Sequence, residues 1–459
     1  MRALRCTFRS AILLLLTLPA AFSAPTPSSI PPAAVASAHF DARAATDAWL
    51  ATVPAANRVK SNAYFEGGYW LTLWDFVYLS AVLILLLETG ISSRMRTLAE
   101  RVFKNGWLQR FLYWIQFSFA TAALLFPLTV YEGFFREHQY GLSNQSFGGW
   151  LRDTAVGFAV NIVLGGLAVA TILILVKRLP RTWHIWAAIA GIGFVVISVM
   201  IAPVFIMPLF NKYTSLQDNA IKQQILSLAH ANGIPVKDVY QVDASRQSKR
   251  VSANVSGLFG TDRITLNDNL LARCSSEGIM AVMGHEMGHY VMHHIVNGVM
   301  FMAILLLAMF SILRWSTERA LAIYGTRWQI RNISDPAALP LAVLLLLAIT
   351  FVITPLTNTF TRVEEYEADI FGLDAARQPD GEAEVDLLLG EYRKLDPTPL
   401  EEFVFFDHPS GRTRIYAAMR WKAENLCLFD KHLPCGQSAG STSKSAPIAS
   451  SRPTVKPLR

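Results

Sequence analysis

The sequence predicts a mainly α-helical protein that crosses a membrane several times and carries a small α+β domain outside the bilayer. Three observations support this fold class. Hydrophobic residues make up 52% of the 459 residues and charged residues only 16%, as is typical of polytopic membrane proteins. Six apolar runs are long enough to span a bilayer. A polar stretch, residues 209–278, separates the first four runs from the last two.

Each apolar run approaches the ~20 residues that a transmembrane helix needs. Buried helices of a soluble core are the alternative, but six nearly charge-free runs argue against it. The first four runs lie within residues 67–208 and the last two within residues 295–357. The six runs are Tyr69–Leu87, Phe111–Tyr131, Thr154–Val176, Trp183–Phe205, Ile295–Leu313 and Ala337–Leu356.

Residues 1–24 have the features of a secretory signal. Three arginines within the first nine residues precede a short apolar core, and a small-x-small triplet ends at Ser23. The segment is either cleaved or retained as a membrane anchor. In both cases we expect residues 25–66 to form an extracytoplasmic N-terminal segment.

Basic residues in the loops predict the orientation of the chain. Residues 91–110, 177–181 and 314–335 alternate with the other loops and hold five, three and four lysines or arginines. The positive-inside rule places these three loops in the cytoplasm. The opposite side, which holds every candidate functional residue, is then the periplasm, and we expect a multi-pass inner (cell) membrane protein. Because the net charge of +7 is spread over short loops, no nucleic-acid partner is expected.

Residues 209–294 form a polar module that mixes helical and strand-like patterns. Its helix, strand and hairpin are predicted at Asp218–Ala231, at Pro235–Asp243, and at Val251–Leu258 with Arg263–Leu266. A second helix is predicted to begin near Ser276 and to continue without a break into the fifth span.

The strongest chemical signal is the motif His285-Glu286-Met287-Gly288-His289 in this second helix. Residues four apart share one helix face, so both imidazoles can reach a single metal ion. Glu286 stands beside the first histidine and can act as a base toward water at the metal. A chance match is the alternative, because the motif fixes only three residues.

A hydrolytic zinc site needs a third protein ligand and one open position. Just past the last span, Glu365 and Asp369 lie four residues apart and share a helix face. Glu365 can bind the metal, while Asp369 can accept a hydrogen bond from a ligand histidine. The alternative is a solvated acidic helix start, since Glu364 and Glu367 are also acidic.

Five separated pieces of sequence between about residues 60 and 420 carry a family resemblance. They are Glu137–Ser146, Ser248–Asn254 with Arg263–Leu271, Gly284–His289 with His293, Arg362–Asp369, and Asp407–Pro409 with Arg414. In this order, with membrane spans between them, the pieces resemble the integral-membrane zinc metallopeptidases of the CAAX prenyl protease type 1 family.

This resemblance implies a ring of transmembrane helices around a water-filled chamber, capped by a small α+β zinc-metallopeptidase domain whose C-terminal part is residues 358–435. It implies one Zn²⁺ per chain, bound by His285, His289 and Glu365, with Glu286 as the general base and Asp369 behind a ligand histidine.

The resemblance also implies roles for residues outside the metal-binding helices. His408 and Arg414 would stabilise the tetrahedral oxyanion, and Asn254 would hydrogen-bond the backbone of an extended peptide. His293, eight residues after His285, would lie beside the ligands, contact substrate or simply line the chamber.

The predicted function is a zinc-dependent endopeptidase that acts on membrane-associated peptides or proteins. One alternative is a catalytically silent membrane chaperone or binding homologue, which would be expected to have lost Glu286 or a ligand. Another is a membrane di-iron hydroxylase, because His285–His294 spells HxxxHxxxHH, but the remaining histidines are isolated and that class needs further histidine boxes.

The four cysteines do not form a CxxC motif, so a thiolate metal site is not expected. Cys427 and Cys435 are close enough in sequence for a disulfide in an oxidising compartment, with two free thiols as the alternative. Residues 436–459 are rich in Ser, Pro, Lys and Ala and are predicted to be disordered.

Overall fold

The structure is a computed structural model and describes residues 29–256 and 263–433. The predicted signal, the predicted tail and Cys435 lie outside the described residues. In chain order the helices are α1 (Ala42–Ala51), α2 (Ala55–Glu88), α3 (Ile91–Val102), α4 (Gly106–Gln139), α5 (Phe147–Arg178), α6 (Trp183–Leu209), α7 (Ala220–Ala231), α8 (Asp268–Arg273), α9 (Ser276–Val291), α10 (His294–Tyr324), α11 (Pro336–Ala376), α12 (Pro379–Leu389), α13 (Pro399–Phe405) and α14 (Gly411–Glu424).

Six of these helices are long and apolar enough to cross a membrane, and they contain all six predicted spans. They are α2, α4, α5, α6, α10 and α11. The helices are longer than the apolar runs because polar turns extend them past the hydrocarbon layer. The longest, α11, has 41 residues, or about 60 Å at 1.5 Å per residue, against a hydrocarbon core of roughly 30 Å. Its C-terminal end therefore carries Glu365 and Asp369 beyond the apolar run.

The polar module contains a four-stranded sheet of β1 (Tyr213–Ser215), β2 (Val239–Val242), β3 (Ala253–Ser256) and β4 (Arg263–Asn267). The strand order is β1-β2-β4-β3, with β2 and β4 parallel and the other pairs antiparallel. The predicted hairpin is present as β3 and β4, with Asn254 opposite Thr265. β3 stands at one edge of the sheet, and an edge strand can pair with another extended chain.

The sheet is held against α7 and α9 by a hydrophobic core. Ile225 of α7, Ile264 and Leu266 of β4, and Met283 and Met287 of α9 are fully buried within it. Met283 and Met287 are four residues apart, so they share one face of α9. His285 and His289 share the opposite face of α9, which is turned away from this core and toward α11.

The helix that carries the motif does not run on into the fifth span, contrary to the sequence prediction. It ends at Val291, and α10 begins at His294. His293 between them has a φ of 60°, the left-handed conformation that interrupts a right-handed helix. As a result His293 is exposed, and the next residue, His294, is buried.

The helices α9 and α11 pack backbone to backbone. A Cβ atom added to Gly372 would lie 2.7 Å from the His285 backbone nitrogen, and one added to Gly284 would lie 2.9 Å from the Gly372 carbonyl oxygen. A second contact of this kind joins Gly288 to Ala368, at 3.1 Å. Only glycine permits so close an approach.

We predict that Gly372→Ala reduces the free energy of unfolding by about 1–3 kcal/mol, because the added methyl group must push two backbones apart. Chemical unfolding in detergent micelles measures the change. Gly298→Ala in α10 is the matched control, since a Cβ there meets nothing within 4 Å and alanine is the better helix former. Equal stabilities of the two variants would contradict the close crossing.

Candidate metal centre

Three side chains converge where α9 and α11 cross. His285 Nε2 lies 3.1 Å from His289 Nε2 and 3.3 Å from Glu365 Oε2, and His289 Nε2 lies 3.5 Å from Glu365 Oε1. In the described part of the chain, this is the one group of three such side chains whose ligand atoms converge. A tetrahedral ion with ligands at 2.0–2.1 Å separates them by about 3.3 Å. The donor set therefore fits one metal ion with a position left open.

In each ligand histidine, the Nδ1 atom, which points away from the centre, contacts a second side chain. His285 Nδ1 lies 2.8 Å from Asp369 Oδ1, which accepts its hydrogen bond. His289 Nδ1 lies 2.8 Å from Nδ1 of His294, whose Nε2 is 3.4 Å from Glu367 Oε2. These contacts fix both rings so that the two Nε2 atoms point at one another, as second partners of ligand histidines do.

The residue beside the ligand histidines is thus His294 and not His293. The expectation for His293 assumed an unbroken helix, in which a spacing of eight returns to the same face. The left-handed turn at His293 removes that relation, so the exposed His293 side chain is not brought to the centre.

Arg414 is tied to carboxylates and also lines the cavity at the centre. Its Nε and Nη2 donate to Asp369 at 2.9 and 2.5 Å, a bidentate pair. Nη2 also donates to Glu382 at 3.1 Å, and Nη1 lies 3.2 Å from Asp386. The Arg414 side chain is only 8% exposed. Its geometry fits the positioning of Asp369, and through it His285. The contact with an oxyanion expected for Arg414 stays a prediction.

The carboxylates around Arg414 outnumber it three to one, and burial adjusts their protonation. Burial raises the pKa of Asp386 well above its usual value, against the opposing effect of Arg414. The pKa of Glu382 is raised for the same reason. This favours protonated forms of Asp386 and Glu382, so that Asp369 remains the main anionic partner of the guanidinium.

Glu286 lies beside the convergent ligands on the same helix. Burial, and then the charge of Glu365, raises the pKa of Glu286 to about 7. The backbone N–H of Val255, on β3, donates to its carboxylate. A carboxyl group with this pKa can accept and return a proton near neutral pH.

His408 stands on the open side of the centre. Its Nε2 lies 3.4 Å from Glu365 Oε2, and its Nδ1 donates to Asp407 Oδ1 at 2.8 Å. The side chain is 26% exposed. In this arrangement Asp407 orients the ring, and the Nε2 edge faces the space where a substrate would bind.

A cavity of about 190 Å³ opens beside these residues. Its wall includes His285, Glu286 and Glu365, as well as His408. Segment 251–253, leading into β3, forms another part of the wall. Asn254 is the next residue, and its buried Oδ1 has no hydrogen-bond partner among the described residues. The role predicted for Asn254 stays a prediction.

Sequence reasoning missed four residues around the centre: His294, Glu382, Asp386 and Arg393. Glu382 and Asp386 are four residues apart on α12, and that spacing was a usable sign of a shared face. Arg393 lines the cavity and lies in no recognisable motif, so the sequence held no signal for it.

Two family models match the chain in succession. A model described as CAAX prenyl protease N-terminal, five membrane helices, matches residues 43–212. The model of peptidase family M48 matches residues 215–422, which hold the whole candidate centre. Residues 215–422 of the chain belong to peptidase family M48. Four of the long membrane helices described above fall within residues 43–212 of this M48 peptidase, one fewer than the N-terminal model is named for.

Known relatives agree with this assignment. The uncharacterized metalloprotease YhfN of Bacillus subtilis is 28% identical over 371 residues, covering 80% of this chain and 85% of that protein. CAAX prenyl protease 1 of Saccharomyces cerevisiae is 29% identical over 309 residues, covering 63% and 68%. The crystal structure of S. mikatae Ste24p has a TM-score of 0.70 at 23% identity, covering 80% and 90%, and supports the fold.

The family and the fold together establish the broad function. The M48 peptidase is a multi-pass membrane metalloprotease that hydrolyses peptide bonds. The predicted fold class, a polytopic helical protein with a small α+β peptidase domain, is confirmed.

Arg414→Ala is predicted to reduce the free energy of unfolding by about 3–5 kcal/mol, because it leaves buried carboxyl groups without their cation. Chemical unfolding in detergent measures the loss. The control is Arg420→Ala on the same helix, since Arg420 is exposed and pairs only with Glu424; its effect should stay within about 0.5 kcal/mol. A mild effect of Arg414→Ala would refute its place at the centre of a buried ionic cluster.

Proposed function

We propose that this membrane metalloprotease is a zinc endopeptidase for membrane-associated peptides or proteins, with one Zn²⁺ on His285, His289 and Glu365. The proposal depends on the convergence of these three side chains, whose nitrogen and oxygen atoms lie 3.1–3.5 Å apart. Two imidazoles and a carboxylate with a free fourth position are the ligand set of catalytic zinc in peptidases. When bound there, zinc supplies Lewis-acid polarisation of the reacting oxygen atoms.

Glu286 is the proposed general base and acid. It takes a proton from the attacking water and returns it to the leaving amine nitrogen. Its partial burial and the hydrogen bond from the Val255 N–H hold the carboxylate at the cavity. His408, oriented by Asp407, is the proposed donor to the oxyanion that develops on the scissile carbonyl.

The peptide is proposed to bind as an added strand along the outer edge of β3. The strand β3 packs on α9, with Val255 beside Glu286, so a peptide paired with its outer edge would pass the cavity in extended form. Asn254, whose Oδ1 lacks a partner among the described residues, is the proposed side-chain contact to the peptide backbone. Asp369, Arg414 and His294 act by positioning the ligand histidines.

Two alternatives receive less support. A silent chaperone homologue has no need for a base and three ligands that converge within hydrogen-bonding distances. A di-iron hydroxylase needs further histidine ligands. His294 instead contacts His289 from behind, His408 is hydrogen-bonded to Asp407, and the convergent group in the described residues is limited to two histidines and one glutamate.

The proposed location is the inner membrane with the catalytic side in the periplasm. The loops at residues 91–110, 177–181 and 314–335 are basic and lie at the ends of the spans opposite to the metal centre. Cys427 is disulfide-bonded, which suits an oxidising compartment. Some relatives are named CAAX prenyl protease 1, but a periplasmic active side favours other membrane-associated peptides as natural substrates.

Glu286→Gln is expected to retain about one zinc per chain and to lose hydrolysis by at least about 100-fold, because it removes the base without removing a ligand. Glu365→Gln is expected to lose zinc as well as activity. Metal analysis and cleavage of an unstructured reporter peptide by purified protein in detergent measure both. Iron in the wild type, or hydrolysis by Glu286→Gln at the wild-type rate, would refute the proposal.

The topology predicts that cysteines placed in the two sets of loops label from opposite sides. A cysteine at Ser334 is expected to react with a membrane-impermeant thiol reagent only after the cells are opened. A cysteine at Ser146, in the loop before α5, should react in cells whose outer membrane alone is permeable. The reversed pattern would place the active side in the cytoplasm.

A further inference from the structure

One cationic side chain at the metal centre has no partner among the described residues. Arg393 lies in the loop after α12, is half-buried and lines the same cavity as Glu286 and His408. Across the described residues, its guanidinium forms no hydrogen bond and no ion pair. The hydrogen bond from His408 and also the charge of Arg393 lower the pKa of Asp407. The Asp407 carboxylate is 67% exposed, and its hydrogen-bond partner is His408.

The other basic groups nearby are all engaged. Arg414 is surrounded by three carboxyl groups. Lys394, the next residue after Arg393, is paired with both Glu66 and Glu401. Against this background, a guanidinium left without a partner at the cavity wall is available to a ligand, and its planar fork of donors matches a carboxylate.

The size of the cavity limits where that ligand group can be. Arg393 and the candidate metal ligands line one cavity of about 190 Å³, and an extended peptide advances roughly 3.3 Å per residue. A group that reaches Arg393 from a peptide held at the metal therefore belongs to a residue close to the scissile bond.

Building on the proposed function, we propose that Arg393 is a specificity-determining residue that binds a carboxylate of the peptide substrate close to the scissile bond. The other guanidinium in the wall of the cavity, that of Arg414, is already paired with carboxyl groups. Arg393 is therefore the arginine in this wall that is left to bind an anionic substrate group. The carboxylate comes either from the C-terminus of the peptide or from an acidic side chain.

Binding to the inactive Glu286→Gln protein tests this without turnover. The probes are labelled peptides of one sequence that end in a free carboxylate or in an amide one to four residues after the scissile bond. Amidated peptides with a single Glu at each of these positions form a second series. Fluorescence anisotropy of the zinc-loaded protein in detergent gives Kd.

Adding Arg393→Ala is expected to weaken binding of the matching acidic peptides by about 10- to 100-fold. The all-amide peptide without Glu should change by less than about twofold. Loss confined to the free-acid series identifies the C-terminus as the ligand, and loss confined to the Glu series identifies a side chain. Arg420→Ala is the matched control, and Arg393→Glu is expected to reverse the preference toward peptides with a Lys at that position.

Cleavage kinetics of the otherwise wild-type protein separate this role from a catalytic one. Arg393→Ala should raise KM for acidic peptides and leave kcat within about twofold. Equal weakening of acidic and amidated peptides, no effect on either, or a kcat loss shared by all peptides would overturn the inference. If the wild type cleaves none of the peptides, the proposed function fails instead, while the binding comparison still decides the role of Arg393.

Discussion

The close crossing of α9 and α11 is the constraint on which the metal centre depends. Two of the candidate ligands are on α9 and the third is on α11, so their convergence requires the two backbones to touch. Gly284 and Gly372 allow this contact. Had either position carried a side chain, the helix axes would stand farther apart, and Glu365 would no longer reach the histidines. The geometry of the metal centre thus depends on two residues that have no side chain.

A buried ionic cluster then fixes the orientation within this crossing. Arg414 on α14 joins Asp369 on α11 to Glu382 and Asp386 on α12, and Asp369 in turn holds His285. Such clusters add little net stability compared with apolar packing, but they define one arrangement because a misplaced partner is left buried and unpaired. Three acidic residues and one arginine thus set the orientation of the His285 imidazole ring.

Local patterns in the sequence predicted most of this architecture. The six spans followed from apolar length, and the convergence of His285, His289 and Glu365 followed from helical spacing together with the family resemblance. The break at His293 could not be predicted, because the histidine spacing of four continues through it and a left-handed histidine has no compositional signal. The position of Arg414 could not be predicted either, since its distance from His408 in sequence does not tell which side of the metal it occupies. Arg393 lies outside every motif, so only the folded cavity reveals it.

Each helical path from the bilayer to the ligands contains one residue that disturbs regular helix geometry. On the α9 side it is the left-handed residue His293, four positions after His289. On the other it is Pro355, ten positions before Glu365, which cannot donate a hydrogen bond to the preceding turn of α11. Both residues are positions at which a helical path can change direction, whereas the glycine contact sets the distance between the two helices. A change in the tilt of the spans can therefore be taken up at these two positions without separating the ligands.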